Sequence, residues 1–216
     1  MLKNIKLSLI LILSLFLLAN GYATTNSESV FVARFSMMDM DGWKNKSFEG
    51  ETQYSMKNGQ TKSYLQAESV KSASALYKKV KIDIDNNPYM NWSWRIDQAL
   101  PELKEMDKSG DDYAARIYVV VKTGYTPLSA KALNYVWSSN NRIGNHWPNA
   151  HTDKAIMIPL RCNLDANGIW NFEKVNIKED LMKYFGIAPK FIDGVAIMTD
   201  TDNSKGNASA LSLIHI

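Results

Sequence analysis

The chain has 216 residues, a formal net charge of +3 and one cysteine. So small a charge gives little support to nucleic-acid binding. A lone Cys162 excludes an intrachain disulfide, so packing must hold the fold together.

Lys3 and Lys6 precede an almost wholly apolar run, Leu7 to Leu18, and Gly21-Tyr22-Ala23 comes next with small residues. This is the layout of a secretory signal peptide over 1–23. The apolar run is shorter than the roughly 20 residues a transmembrane helix needs. Cleavage after Ala23 would leave about 190 residues, enough for one domain with its own core. It would also remove two lysines and no acid, lowering the charge to about +1. The expectation is a soluble protein of the periplasm or exterior, with no stable membrane insertion once cleaved.

Short apolar runs with period-two alternation dominate the chain beyond the leader, which is a strand signal. In chain order the predicted strands are Val30 to Phe35, Gln53 to Ser55, Ser63 to Ala67 and Lys78 to Ile84. They continue with Asn91 to Asp97, Tyr113 to Val121 and Leu133 to Ser138. Ala155 to Pro159, Trp170 to Val175 and Ile192 to Thr199 complete the set. Asn58-Gly59 marks a hairpin turn. Along Asn91 to Asp97, Trp92, Trp94 and Ile96 share one face, predicted as core, while Arg95 points away. One helix is signalled: Asn176 caps it, Ile177, Leu181 and Phe185 recur on one face, and Gly186 stops it.

Many strands with one short helix near 177–185 predict an all-β sandwich, with a domain over 24–210. The ending Leu-Ser-Leu-Ile-His-Ile resembles a translated sequencing adapter. Residues 211–216 are therefore expected to be a non-native tail, with the final strand missing.

Several segments together resemble a family of secreted bacterial proteins catalogued as domain of unknown function 3047. They are Ser72 to Leu76, Trp92 to Arg95, Gly110 to Arg116, Leu133 to Trp137, Trp147 to Asn149 and Asp193 to Asn203. The resemblance implies a jelly-roll-like sandwich similar to carbohydrate-binding modules. It implies no catalytic residues.

The six tryptophans could serve as core or as platforms for sugar rings, whose C–H groups meet the negative π face. Trp147, in Asn145-His146-Trp147-Pro148-Asn149, has a loop-like setting suited to either a ligand platform or an anchor. Strand parity sets Arg95, Arg116, Tyr118 and Asn134 opposite the apolar residues. If their strands are neighbours, these four line one sheet face, with Trp147 and Asn149 at its rim. Arginine forks there could hold a sugar or an anion, or pair with Asp97, Asp111 or Asp112.

Asp200, Asp202 and Asn203 offer oxygens that could ligate calcium, although the spacing does not complete a helix-flanked calcium loop. The same residues make ordinary turns. His146 and His151 lack a third ligand nearby, so zinc is not expected. Neither a nucleophile elbow nor a phosphate loop is present. The leading expectation is a non-catalytic envelope protein that binds a carbohydrate or related polar ligand. The alternatives are a glycan hydrolase using facing carboxylates such as Asp112 and Asp200, and a structural subunit for a protein partner.

Overall fold

Alternation puts one face of a strand against the core and leaves the other outside, and here it organises two packed sheets. The computed structural model describes residues 29–124, 129–140 and 142–215. The leader expected at 1–23 lies outside the described residues, and among these no helix is long and apolar enough to cross a membrane.

The strands are β1 (Trp43–Glu49), β2 (Gln53–Asn58), β3 (Ser63–Val70), β4 (Ala73–Asp83), β5 (Tyr89–Gln98) and β6 (Arg116–Lys122). They continue with β7 (Ala130–Ser138), β8 (Trp147–Asn149), β9 (Thr152–Cys162), β10 (Asn171–Asn176), β11 (Phe191–Asp200) and β12 (Asn207–His215). A seven-stranded sheet runs β1-β4-β11-β6-β7-β9-β8, and a five-stranded sheet runs β10-β5-β12-β3-β2. From β3 to β6, and again from β9 to β12, successive strands alternate between sheets. That interleaving makes the fold a jelly-roll-like β-sandwich.

Trp92, Trp94 and Ile96 of β5 are buried against Ile117 and Val119 of β6 and Leu133 and Tyr135 of β7 in one core. The one α-helix among the described residues, α1 (Ile177–Phe185), is capped as expected: the Asn176 side chain accepts from the Glu179 N–H at 3.2 Å. Gly186, at φ 63°, ends it in the left-handed conformation that glycine adopts without a Cβ clash.

Four elements differ from the sequence expectation. Val30 to Phe35 is not a strand. Val32, Ala33 and Phe35 are all buried, so the segment has no two-residue period, and it ends in a 3-10 turn at Phe35–Met37. Conversely, β1 is a strand without an apolar signal. Among the described residues it pairs only with β4, and it leaves almost every side chain exposed. Trp147–Asn149 is a short edge strand against β9 rather than loop. Finally, β12 crosses residue 210, where the domain was expected to stop, and pairs with both β3 and β5.

The loop between β5 and β6 matters most for the site. It is pinned by Glu105, which is fully buried and accepts from the Ser138 hydroxyl at 2.7 Å and from the N–H and hydroxyl of Ser139. Burial pushes the Glu105 pKa up, and these donors together with Arg142 oppose the shift. Gly110 then passes so close to Lys104 that a Cβ would meet its carbonyl oxygen at 2.6 Å. This tight passage delivers Asp111 and Asp112 to the end of β6.

Candidate functional site

β11 pairs with β6 so that Met198 lies opposite Arg116 and Ala196 opposite Tyr118. Ile117 and Val119 face the core. Arg116, Tyr118, Met198 and Asp200 therefore occupy the outer face of the seven-stranded sheet. Asp200 ends β11 opposite Ala73 of β4, whose small side chain leaves room beside it. A cleft of about 350 Å³ opens there, lined by Phe48, Ala73, Asp111, Arg116, Tyr118, Asn149, His151, Thr152, Ala155, Met198, Asp200, Asp202 and Asn203.

Arg116 lines this cleft and is only 4% exposed. Its Nη2 pairs closely with Asp200 Oδ2 and contacts Met198 Sδ at 3.4 Å. Asp111 Oδ1 stands 3.9 Å from Nη1. The guanidinium lies 5.2 Å from the Tyr113 ring centroid and 5.5 Å from that of Tyr118, within range for cation–π attraction. Among the described residues Nε and Nη1 have no hydrogen-bond acceptor, and both are shielded from solvent. Burial alone would lower the Arg116 pKa, but Asp200, Tyr118, Asp111 and Tyr113 outweigh it, so the group stays charged.

The carboxylates are held differently from one another. Asp112 accepts from the backbone N–H groups of Asn203 and Ser204 and from the Asn203 amide. Asp111 accepts twice from the Asn149 amide, at 3.0 and 2.8 Å. Asp200 accepts from the Tyr113 N–H at 3.2 Å. Burial pushes the Asp200 pKa well up; Arg116 opposes this, and Asp112 and Asp111 add to it. Asp202 is also raised, by burial first and then by the charge on Asp112.

Asp202 sits at the half-open edge of this group, which makes its charge testable. Its folded-state pKa lies above that of the unfolded chain, so its ionised form is penalised at neutral pH. Protonation removes the penalty as the pH falls through the folded pKa toward about 4. Asp202→Asn should therefore raise Tm at pH 7 by about 1–3 °C, the range expected for a partly exposed charge in a domain this size. Thermal melts should show that advantage fading by pH 4. An equal advantage at both pH values would contradict like-charge crowding.

The oxygens of Asp112, Asp200 and Asp202 lie within 4.8 Å of one another. Calcium wants six to eight oxygen ligands. Here Asp112 and Asp200 already accept from N–H groups, the Asn203 amide serves Asp112, and Arg116 supplies a positive charge. The donor set therefore fits calcium poorly.

The expected sharing of one face by Arg95 and Arg116 is not what the structure shows. Arg95 lies on β5 in the five-stranded sheet, whereas Arg116, Tyr118 and Asn134 lie in the seven-stranded one. Arg95 pairs with Asp97 at 2.8 Å and stands 5.5 Å from the Trp170 ring. Asn134 is on the expected face but fully buried, its amide on Met157 Sδ, so it does not line the cleft. Trp147 is no platform either. It is 4% exposed because its register opposite Met157 folds it onto Tyr113, Val136 and Met157. Asn149 and Tyr118 do line the cleft, together with Asp200, Asp202 and Asn203.

Residues that parity could not find are Asp111, which was foreseen only as a possible ion-pair partner, and His151, whose Nε2 lies 3.8 Å from Asp111 Oδ2. Segments Gly110 to Arg116, Trp147 to Asn149 and Asp193 to Asn203 all send side chains into this one cleft or its wall. A family model described as "Protein of unknown function (DUF3047)" matches residues 41–212. The chain belongs to that family.

No curated protein significantly matches this family member in sequence. Among solved structures it is similar to a family 30 carbohydrate-binding module of a Clostridium thermocellum cellulosomal cellulase. The TM-score is 0.48 at 10% identity, over 81% of this chain and 89% of that one. A family 11 carbohydrate-binding module of the same organism, in complex with a mixed-linked tetrasaccharide, gives 0.43 at 10% identity over 83% and 90%. A family 12 xyloglucanase from Bacillus licheniformis gives 0.41 at 8% identity over 86% and 94%.

Proposed function

We propose that this chain is an exported, non-catalytic binding protein of the bacterial envelope, periplasmic or secreted, whose Arg116 cleft takes a neutral, hydroxyl-rich ligand of the carbohydrate class. The observation that supports this most is the state of Arg116. A buried guanidinium normally has its donors met, and leaving them unmet is costly. Here Nε and Nη1 of a residue lining the cleft have no acceptor among the described residues, and both atoms are shielded from solvent. A ligand oxygen would satisfy them once a small side-chain shift opens them to the cleft.

The rest of the wall narrows the ligand class. Asp202 and Asp111 offer acceptor oxygens beside those donors. A hydroxyl is the small group that both accepts and donates. Three lining carboxylates against one guanidinium disfavour an anionic ligand. Glycoside hydrolysis is less well supported, because it needs two carboxyl groups on opposite sides of a bond, roughly 5–10 Å apart. Asp112, Asp200 and Asp202 instead crowd within 4.8 Å on one side.

The test is a glycan array on the mature chain, followed by calorimetric titration of any glycan that binds. The expected result is a neutral glycan whose affinity falls about tenfold or more in Asp202→Ala, one hydrogen-bonded contact at a charged group being worth roughly 1.5–3 kcal/mol. Titration of the Trp170→Ala variant identifies binding at the cleft that Trp170 lines over the five-stranded sheet. A chain that binds no glycan, or none whose binding weakens in Asp202→Ala, would overturn this reading.

A further inference from the structure

The opposite face of the sandwich has a second cleft, of about 530 Å³, over the five-stranded sheet. We infer that this cleft is a separate saccharide site that holds a pyranose ring with equatorial hydroxyls against Trp170 and Tyr64. The inference does not rest on the reading of the Arg116 cleft, because the two share no residue.

Trp170 is 36% exposed, unlike Trp92, Trp94, Trp137 and Trp147, which are buried. It precedes β10 and so escapes the alternation that turns tryptophans inward on β5. Tyr64 meets it edge to face at a centroid distance of 5.9 Å. The Arg95 guanidinium lies over one face of the ring, 5.5 Å from its centroid, and is itself fixed by Asp97. The aromatic surface is therefore held in place before any ligand arrives, which lowers the ordering cost of binding.

The surroundings match a sugar better than an apolar partner. Ser93 comes from the sheet floor, where it shares the outward face of β5 with Arg95. The hairpin between β2 and β3 adds Asn58, Gln60 and Thr61 to the wall. These neutral side chains donate and accept around an aromatic surface, and Lys62 and Arg95 in the same lining add further donors. A pyranose with equatorial hydroxyls turns C–H groups toward a ring face and its hydroxyls toward the rim, which is the complement of this arrangement. The volume lies in the usual range for small-ligand clefts.

The experiment uses cellotetraose as probe, an unbranched β-linked tetramer with equatorial hydroxyls. It is titrated into the mature chain by calorimetry, with the Trp170 indole resonance followed by NMR. The expected result is saturable binding that shifts the indole signal. Affinity should fall roughly tenfold or more in Trp170→Ala and in Tyr64→Ala, consistent with an aromatic contact plus its buried area. In Asp202→Ala, altered at the other cleft, cellotetraose should still shift the Trp170 indole signal at saturation, which separates this site from the Arg116 cleft. Both aromatic positions are at the surface; thermal melts verify the fold, and Trp170→Phe, which keeps a ring face, should retain part of the affinity. No binding at millimolar cellotetraose, or equal binding by Trp170→Ala and Tyr64→Ala, would overturn the inference. So would an indole resonance that stays fixed at saturation.

Discussion

Replacing Trp94 with alanine is expected to cost about 3–5 kcal/mol of stability, as for other large aromatic-to-alanine changes in cores. Trp94 is 1% exposed and sits at the contact of the two sheets. Its ring meets Trp92 at 5.4 Å and Trp137 at 5.7 Å, both edge to face. Its indole N–H donates to Glu173 at 3.0 Å, and Glu173 also accepts from Arg161 at 2.6 Å. Alanine would leave a cavity between the sheets and remove one donor from a buried carboxylate. Both effects act in the same direction. Guanidinium chloride unfolding, monitored by far-UV circular dichroism, would measure the loss. A change below about 1 kcal/mol would mean that Trp94 does not occupy the core.

The same strand shows why part of the fold is legible in the sequence. Trp92, Trp94 and Ile96 alternate with polar residues, and a strand in a sandwich has one buried face, so periodicity alone assigns their direction. The helix is equally plain, because its cap, apolar row and terminal glycine all lie within one short window. Elements that escaped lack such local signals. β1 buries neither face fully, and β8 has too few residues to show a period. β12 comes after a polar turn and begins with small residues, so its apolar half looked detachable from the domain.

The site was half legible for the same reason. Parity put Arg116, Tyr118 and Asn134 outside the main core, and the register of β6 with β7 agrees. Parity does not say which strands belong to one sheet. Jelly-roll interleaving sends β5 and β6 to opposite sheets, and that separates Arg95 from Arg116. Nor does parity distinguish an outward side chain that is covered from one that is open. Trp147 and Asn134 are covered by their neighbours, whereas Trp170 is not. The pairing of Arg116 with Asp200, distant in sequence, depends on β6 and β11 being adjacent, which is a property of the whole topology.

That pairing leads to the second large effect. Arg116→Met is expected to destabilise the protein by about 3–5 kcal/mol, because it strands the buried Asp200 carboxylate without its cation. The cost should depend on pH in a defined direction. Burial already pushes the Asp200 pKa up, and Arg116 opposes that shift. Removing Arg116 raises the folded-state pKa further above the unfolded value. The stability that protonated Asp200 contributes is present below the unfolded pKa and lost as pH rises through the folded one. The gap between Arg116→Met and the unaltered chain should therefore be widest near pH 7 and shrink toward pH 4. Adding Asp200→Asn to Arg116→Met should recover much of the lost stability at pH 7, since no buried charge is then left unpaired. On the proposed function, binding at this cleft should not recover, because the two acceptor-free donors of Arg116 remain absent. Denaturant unfolding across pH for the two singles and the double separates the structural role from the recognition role. If Arg116→Met costs less than about 1 kcal/mol at pH 7, the buried pair does not form as described. If the double variant binds glycan as the unaltered chain does, Arg116 is a structural partner of Asp200 and no more.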